Sequence, residues 1–394
     1  MSILRNPLAL LGLLVFVWSC SDDLDLQQNS FTRIYDDSNA EVDYRPTDIA
    51  ETANGFIIIA ENEIDQSAFP GIQLLVVDKE GAFVRSTTLE NNLVLPTRGL
   101  FLLDSTFYFF GMNRTTLEAV LIAVDESLSG ISSTSIPGLF YPLSAAATEN
   151  GQFLLESYDP LNFLTDLSVI GTDGSIQATA GFNIGEGQDF EQTIIDHYLD
   201  PEVKLPFFCG EMSSGSYFFN GFYNFSLSFV FSNLGSANPN GVVQGQSDDG
   251  GIRAAAWLSG NDFALMGYQF DENYVTPSTT VSTAGITSSI DLFTSEQAEI
   301  RTGSSGLILR YDEQHVVVAA ETESREVVLY FYDYTQQELK SIQTIGFLNP
   351  FNLGSIRMDA EGNLLIVGTT LVAGRFERIF FRKITASEVL EAIN

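Results

Sequence analysis

The chain has 394 residues and a formal net charge of -33, with 18 lysines and arginines against 51 aspartates and glutamates. A hydrophobic fraction of 45% and 31 phenylalanines exclude a disordered chain. Phosphate binding needs a basic surface, so the charge also excludes nucleic-acid binding as a function class. The composition predicts a folded, acidic protein and does not name a ligand.

The first twenty residues have the layout of a secretory signal peptide. Arg5 precedes an apolar run over 8–18, and Ser19 stands before Cys20. The run is shorter than the roughly 20 residues that span a bilayer. Residues 17–20 resemble the lipobox of bacterial lipoproteins, in which the cysteine is acylated and begins the mature chain. The resemblance implies lipidation at Cys20, and a plain secreted protein is the alternative.

An acidic tract, "SDDLDLQQNS", follows Cys20. It resembles the export signal that sends lipoproteins of the Bacteroidota to the cell surface. This resemblance implies a protein anchored by a diacylglycerol and palmitate group to the outer membrane and displayed outside, with periplasmic retention as the alternative. We therefore expect a signal peptide at 1–19 and a lipidated tether at 20–29. Cys209, in an apolar segment, is predicted to be a small buried side chain.

From residue 30 onward the chain repeats one unit. A strand, a turn rich in Asp, Asn, Ser or Gly, and a strongly apolar strand recur, as in "TDIAETANGFIIIAE" and "RGLFLLDSTFYFFGM". We identify seven copies, of which "TIIDHYLDPEVKLPFFCGE" is degenerate, and a second hairpin follows each. Four strands per roughly fifty residues predict an all-β, seven-bladed β-propeller over 30–385. Six or eight blades stay open because 190–250 is the least regular segment.

The two ends of the chain fit the same architecture. The last repeat lacks a fourth strand, and the unpaired strand at 31–35 would complete it and remove an open sheet edge. Residues 386–394 show helical periodicity and predict a C-terminal helical tail. The pattern "SFTRIYDD…ANGFIII…LLVVDKEG" resembles propeller repeats of Bacteroidota lipoproteins, which specify a fold and are poor guides to function.

The sequence contains no recognisable catalytic constellation. His197 and His315 are isolated, which excludes a His-rich metal site and argues against a Ser-His-Asp triad. The chain has no phosphate-loop glycine pattern; Gly181, Gly185 and Gly187 are closely spaced, but we predict no helix after them to present amide groups to a phosphate and interpret them as a connection between blades. We predict no catalytic residue, no cofactor and no enzyme activity. A carboxylate-dependent hydrolase is the less favoured alternative.

Acidic residues concentrate in the predicted middle blades. Propeller topology predicts that many of them share the face that carries the connections between blades; they are Glu61, Glu63, Asp65, Glu156, Asp159, Glu186, Asp189, Glu211, Asp248, Asp249, Asp271 and Glu272. Such a face could bind Ca²⁺ or a basic partner, and a solvated surface is the alternative. Asp248 and Asp249 in "SDDGG" are the nearest approach to a Ca²⁺ site, and we predict no bound metal.

An aromatic segment supplies the first candidate interaction residues. The segment "YFFNGFYNFSLSFVF" has one face that we expect to pack between blades, formed by Phe225, Leu227, Phe229 and Phe231. Its remaining aromatics are predicted to be exposed and to bind a protein or a sugar ring; they are Tyr217, Phe218, Phe222 and Tyr223.

Two further surface features are predicted. The segment "DENYVTPSTTVSTAG" (271–285) is interpreted as a long loop that contacts a partner through Asp271, Glu272 and Tyr274. Ser105 in "DST" resembles the O-glycosylation acceptor of the Bacteroidota and is expected in an exposed hairpin turn.

Together these features predict a non-enzymatic surface lipoprotein that acts as a protein-interaction scaffold. We expect an accessory subunit of an outer-membrane complex for transport, secretion or membrane-protein assembly. A surface protein that binds glycans or other nutrients is the alternative.

Overall fold

The computed structural model describes residues 29–35, 42–63, 68–200, 204–245, 250–304, 306–346, 349–372 and 376–394. Cys20, Asp65, Asp248 and Asp249 lie outside these residues. The described chain is almost entirely antiparallel β-structure, arranged in meanders of four successive strands.

The N-terminal third forms an isolated strand and two meanders. Strand β1 (Phe31–Tyr35) is followed by β2 (Tyr44–Glu51), β3 (Gly55–Asn62), β4 (Gly71–Asp78) and β5 (Phe83–Thr88). The next meander is preceded by the short β6 (Leu93–Val94) and comprises β7 (Phe101–Leu103), β8 (Thr106–Asn113), β9 (Glu118–Val124) and β10 (Ile131–Phe140). Because β6 pairs with both β4 and β8, these two meanders form one nine-stranded sheet.

The middle third adds two meanders separated by a helix. The first is β11 (Pro142–Ala147), β12 (Phe153–Asp159), β13 (Leu164–Ile170) and β14 (Ile176–Asn183), and helix α1 (Glu191–Leu199) follows it. The second is β15 (Phe208–Ser213), β16 (Ser216–Tyr223), β17 (Ser226–Ser232) and β18 (Gly241–Gln244).

The C-terminal third completes the ring. It contains β19 (Gly250–Ser259), β20 (Asp262–Gln269), β21 (Glu272–Thr280), β22 (Gly285–Ser288), a 3₁₀-helix (Ser289–Leu292) and β23 (Ser295–Glu296). Then come β24 (Leu307–Arg310), β25 (His315–Glu321), β26 (Val327–Asp333) and β27 (Glu338–Ile345), and finally β28 (Phe351–Met358), β29 (Leu364–Val372), β30 (Phe376–Ile384) and helix α2 (Ala386–Ile393). Strand β22 leaves its own meander and pairs in parallel with β18.

The first strands of neighbouring meanders contact one another. Strand β28 packs against β2, β11 against β15, and β19 against β24, so these strands form the inner ring of a β-propeller. The described strands form six hydrogen-bonded sheets, because β6 fuses two meanders into one sheet. The predicted count of seven blades therefore does not follow from the number of sheets.

Strand β1 closes the ring as the sequence predicted. It pairs antiparallel with β30 over all five of its residues, from Phe31 opposite Lys383 to Tyr35 opposite Ile379. The Phe31 ring packs edge-on against Phe381 at 5.1 Å between centroids. The edge of the last sheet is thereby covered, and the two ends of the propeller are neighbours.

The second strand of each meander is buried on both faces. Strand β12, for example, is buried at every residue, since neighbouring sheets cover both sides. Neighbouring sheets approach closely at an equivalent position near the end of each second strand, which requires a small residue there. The residues at this position are Ala60, Gly111, Ser157, Gly221, Gly267, Ala320 and Gly368. A Cβ on Gly267 would lie 1.9 Å from the ring of Phe293.

The propeller has two unlike faces. The turns between second and third strands and the connections between meanders lie on one side, which we call the connection face. The turns between first and second and between third and fourth strands lie on the other side, which we call the hairpin face. Because β1 is the fourth strand of the last sheet, it begins at the hairpin face and ends at the connection face.

Three predictions about local structure are wrong. The degenerate repeat was expected to be a hairpin, but its first half is helix α1, in which Ile194 and Tyr198 are buried one turn apart. This helix directly follows the glycine-containing segment 181–187, for which no helix was predicted. The segment that begins at Asp271 is not a long loop, because β21 occupies its first nine residues after Asp271 and pairs with β20.

Neither α-helix of the described chain has both the length and the apolar character needed to cross a membrane. Helix α1 spans nine residues and α2 spans eight.

Candidate functional site

The connection face carries a group of exposed apolar turn residues. Leu161 and Phe163 lie in the turn between β12 and β13, Phe225 lies between β16 and β17, and Phe270 lies between β20 and β21. Their exposed fractions are 72%, 41%, 51% and 62%. Among the exposed large apolar residues of the described chain, these four are the ones placed in turns. We call them the apolar turn surface.

The three phenylalanines of this surface occupy a strained backbone region. Phe163, Phe225 and Phe270 have φ values of 56°, 72° and 49°. This left-handed region costs a bulky L-residue about 1 kcal/mol or more, whereas Gly and Asn adopt it readily. The turns therefore keep an exposed aromatic residue where folding alone would favour Gly or Asn.

The hairpin face differs in the exposure of its turn residues. Its left-handed turn positions include Asp104 and Ser105, several glycines, and also Leu128 and Leu234, but these two leucines are half-buried. The exposed phenylalanines are thus a property of one face and of three consecutive meanders, rather than of propeller turns in general.

Acidic side chains surround the apolar turn surface. Glu186, Asp189, Asp271 and Glu272 are exposed, and none of them pairs with a cation in the part of the chain that the structure describes. Asp159 is different, because its Oδ1 accepts hydrogen bonds from the backbone N–H groups of Leu161 at 2.8 Å and Asn162 at 3.1 Å. It shapes the turn that presents Leu161.

Phe225, which is half-exposed, is held in place by contacts with Ile184 and Gly185. The backbone N–H of Phe225 donates to the carbonyl of Ile184 at 2.7 Å. A Cβ on Gly185 would lie 2.7 Å from Cδ1 of the Phe225 ring, so a glycine is needed there. The connection that precedes α1 therefore fixes the direction of Phe225.

The aromatic residues predicted from the sequence are only partly available. Phe218 and Phe222 were expected to be exposed, but they are 5% and 6% exposed. Phe218 packs edge-on against Phe263 of the next meander, and Phe222 stacks on Phe190 at 4.0 Å between centroids. This prediction is wrong because β16 is a second strand and is covered on both faces.

The remaining aromatics of that segment are half-buried. Tyr217 and Tyr223 lie at the two ends of β16 and retain some exposure. Sequence reasoning assigned the neighbouring Phe225 to the packed face, whereas it is 51% exposed. The signal that could have identified it is "NF" at a two-residue turn, where Asn followed by Gly is the usual pair.

Three other predicted contact residues are placed near the surface. Asp271 and Glu272 are exposed beside Phe270, and Tyr274 is half-buried. The Tyr274 ring stacks on Phe293 at 5.6 Å, and its hydroxyl donates to Glu272 at 2.6 Å. This hydrogen bond raises the pKa of Tyr274.

Of the predicted modification and metal sites, Ser105 alone lies within the described residues. Ser105 is exposed in the turn between β7 and β8, on the hairpin face. Cys20, Asp248 and Asp249 lie outside the described residues. Within the described residues no cluster of three or more His, Cys, Asp or Glu side chains could hold a metal ion.

The acidic connection face is smaller than the sequence predicted. Glu61 and Glu156 are 8% and 0% exposed, so neither contributes to a solvated surface. Glu211 lies near the end of a first strand and accepts from the Glu149 backbone N–H at 2.6 Å, which places it on the hairpin face. Sequence order alone could not separate acids that point between sheets from those that point to solvent.

Glu156 belongs to a buried polar cluster between two meanders. Its Oε2 accepts from the Ser144 hydroxyl at 2.6 Å, and its Oε1 has no hydrogen-bond partner. Burial raises its pKa well above the ordinary value of 4.5. Burial also raises the pKa of the Cys209 thiol, and the adjacent Glu156 adds to this effect. Cys209 was predicted to be buried, but it is half-buried near the start of β15.

A second carboxyl group with a raised pKa lies below the apolar turn surface. Asp166 on β13 is 9% exposed, and burial together with the charge of Asp159 raises its pKa to about 7. Asp166 and Glu156, the two carboxyl groups with raised pKa values, belong to the same meander. The hydrolase alternative would require two acids on different blades.

Comparisons with known proteins concern the fold. No protein-family model matches the chain, and no curated protein sequence matches it. The chain is similar to the β-propeller domain of the Trilobed protease from Pyrococcus furiosus, with a TM-score of 0.52 and 11% identity, over 87% of this chain and 95% of that one. It is also similar to YCF48 bound to D1 peptide, with a TM-score of 0.51 and 10% identity, over 90% of this chain and 95% of that one.

These similarities confirm the predicted β-propeller. At 10% and 11% identity they show the fold alone, because one propeller fold serves many functions. One of them is the β-propeller domain of a protease and the other is not described as an enzyme, so the absence of enzyme activity stays a prediction.

Proposed function

We propose that this protein is a non-enzymatic interaction scaffold, anchored by a lipid at Cys20 to the outer membrane and displayed at the cell surface. In this proposal it serves as an accessory subunit of an outer-membrane complex. We further propose seven blades, counting the two meanders joined by β6 as separate blades and β1 as the fourth strand of the last blade.

The apolar turn surface is the observation that carries this proposal. Phe163, Phe225 and Phe270 keep left-handed backbone and remain exposed on one face. Neither feature stabilises the fold, since strain costs free energy and exposed rings bury little area. Exposed apolar residues that are grouped on one face are typical of binding sites for protein partners.

The acids around this surface indicate the chemistry of the partner. Leu161 and the phenylalanines would contact apolar side chains, and Asp271, Glu272 and Asp189 would contact Lys or Arg at the rim. The proposed partner surface is therefore apolar at its centre and basic at its edge. The net charge of -33 would speed the approach of such a partner.

The direction of β1 sets how the surface would face on the membrane. The chain enters β1 at the hairpin face, so the tether from Cys20 would begin there. Ten residues reach at most about 35 Å. The connection face would then point away from the membrane, toward the exposed part of a membrane complex.

The buried position of Phe218 and Phe222 weakens the glycan-binding alternative, which relied on their exposure. A polysaccharide panel in affinity electrophoresis distinguishes the two functions. Retardation of the wild-type protein would favour glycan binding, and unchanged migration is expected here.

The central experiment removes two exposed rings of the apolar turn surface, singly and together. Phe225→Asn and Phe270→Asn replace exposed rings by a residue that tolerates left-handed φ. Relief of about 1 kcal/mol of strain and loss of partly buried ring area are of similar size, so stability should change little at Phe270. The combined variant should lose a partner that co-purifies with the wild-type protein from detergent-solubilised membranes.

Phe83→Asn is the matched control. Phe83 is 59% exposed but lies on the outer strand β5, away from the connection face. This variant should retain the partner. Recovery of the wild-type protein as a lone monomer, or equal retention by the combined variant, would contradict the proposal.

A further inference from the structure

A cleft lies beside the closing strand, between the outer strands of the last sheet and of the first meander; we call it the seam cleft. Its volume is about 520 Å³. Arg33, Ile34 and Tyr35 of β1 line one side, and Phe83 and Ser86 of β5 line the other. Small-molecule sites are concave and commonly measure about 300 to 1,000 Å³, so the seam cleft is large enough to hold a ligand.

Most of the lining of the seam cleft is apolar. Ile34 and Phe83 are 42% and 59% exposed, whereas Leu75 and Ile379, which also line the cleft, are 6% and 3% exposed. An apolar chain placed in the cleft would cover two large exposed side chains. The removal of this apolar surface from water favours binding.

A register shift in β5 decides which side chains line the seam cleft. The pairing of β5 with β4 leaves Val84 as an extra residue, which is a β-bulge. Phe83 and Ser86 consequently line the seam cleft, whereas Val84 and Arg85 line a second cleft of about 400 Å³ on the opposite face of the same meander. Strand β5 therefore provides Arg85 as an internal comparison for Arg33.

Arg33 is the charged residue among the described residues that line the seam cleft. Its guanidinium lies over the Phe31 ring at 5.7 Å, and its Nε donates to the carbonyl of Glu80 at 3.3 Å. These contacts hold the side chain in place and use Nε. Within the described part of the chain, Arg33 forms no ion pair, and its two terminal nitrogens remain available to a ligand.

No carboxylate lines the seam cleft among its described residues. At the turn after β4, the Asp78 carboxylate accepts from the backbone N–H groups of Glu80 at 3.1 Å and Ala82 at 2.7 Å. The second cleft is different, because Glu126 lines it and accepts from the Asn54 side chain at 3.0 Å. In a chain with 51 acids, a cleft whose described lining holds a cation and no acid favours an anionic ligand.

We propose that the seam cleft binds a fatty acid, with its carboxylate on Arg33 and its acyl chain against Ile34 and Phe83. The planar guanidinium can donate two parallel hydrogen bonds to a carboxylate. The two least exposed lining residues, Leu75 and Ile379, are aliphatic and suit a flexible chain. The site lies away from the apolar turn surface and does not depend on the proposed scaffold function.

Photo-crosslinking tests this site in the full chain. The protein is held in phosphatidylcholine nanodiscs, so that no detergent competes, and is irradiated with a decanoic acid that carries a diazirine. Mass spectrometry should locate the label on peptides that contain 31–35 and 82–86. Unlabelled decanoate should compete at least about tenfold more effectively than decan-1-ol or decyltrimethylammonium, because only the carboxylate can pair with Arg33.

Matched variants assign the label to the seam cleft. Ser86→Phe fills the cleft without changing a charge and should abolish the label. Arg33→Gln should weaken competition by decanoate about tenfold and remove its advantage over decan-1-ol, which a merely structural role of Arg33 would not do. Arg85→Gln removes the same charge from the opposite face of β5 and should behave as the wild type. If Ser86→Phe does not fold, the comparison of the two arginine variants decides the question.

Three results would overturn the proposal. The first is label that is spread over the chain or lies on the apolar turn surface. The second is equal competition by decanoate and decan-1-ol in the wild-type protein. The third is an equal effect of Arg33→Gln and Arg85→Gln.

Discussion

Asp166 makes the stability of this protein depend on pH. Its carboxyl group is 9% exposed, and its pKa is raised from 3.8 to about 7 by burial first and by the charge of Asp159 second. A group whose pKa is raised in the folded state binds protons more tightly there than in the unfolded chain. The ionised form therefore opposes folding, and this cost grows as the pH rises from about 4 to about 7.

The loss of unfolding free energy caused by ionised Asp166 follows from the shift in its pKa. Each pKa unit corresponds to about 1.4 kcal/mol, so the shift of Asp166 corresponds to about 4 kcal/mol above pH 7. Asp166→Asn removes the charge and keeps the shape. The variant should match the wild type in unfolding free energy near pH 4 and exceed it by up to about 4 kcal/mol at pH 8.

Urea unfolding at several pH values between 4 and 8, followed by circular dichroism, measures this difference. Asp291→Asn is the control, because Asp291 is exposed and the charge change is the same. Its curve should run parallel to that of the wild type. If Asp166→Asn also runs parallel, the buried carboxyl group is not the cause and the reasoning is refuted.

Two further predictions concern the closure of the ring. Asp48→Asn would leave Arg357 without its counter-ion and should lower the unfolding free energy by about 3–5 kcal/mol in urea titration at pH 7; a loss below 1 kcal/mol would contradict it. Burial alone would raise the pKa of Asp48, but Arg357 and the hydrogen-bond donors hold it below 3.8, so in the wild type this contribution is present at neutral pH and disappears in acid. Phe31→Ala should cost about 2 kcal/mol and speed amide exchange in β30, because the ring of the closing strand packs on the last sheet. Ile34→Ala, at a 42% exposed position of the same strand, should cost less, and equal losses would argue against this role of Phe31.

The repeat in the sequence was enough to predict the architecture. Alternating turn residues and apolar strands are local features, and in the two quoted repeats they placed β3 and β8 correctly. The closing role of 31–35 also followed from the sequence, because an unpaired first strand and a missing last strand complete each other. The helix at 191–199 did not, since its buried residues Ile194 and Tyr198 form a single pair one turn apart, which is too short a pattern to indicate a helix.

The candidate sites were harder to predict. The aromatic segment identified the right region, but the exposed ring is Phe225, while Phe218 and Phe222 are core residues. Exposure depends on which face of a strand a neighbouring sheet covers.

The sequence by itself determined the strand content, the ring closure and the acidic excess, because these depend on residue type and local order. Only the tertiary structure decided which residues reach solvent. It buried Glu156 and directed Phe225 and Phe270 outward from one face. The physical reason is that side-chain environment in a propeller is set by packing between sheets, which joins residues far apart in the chain.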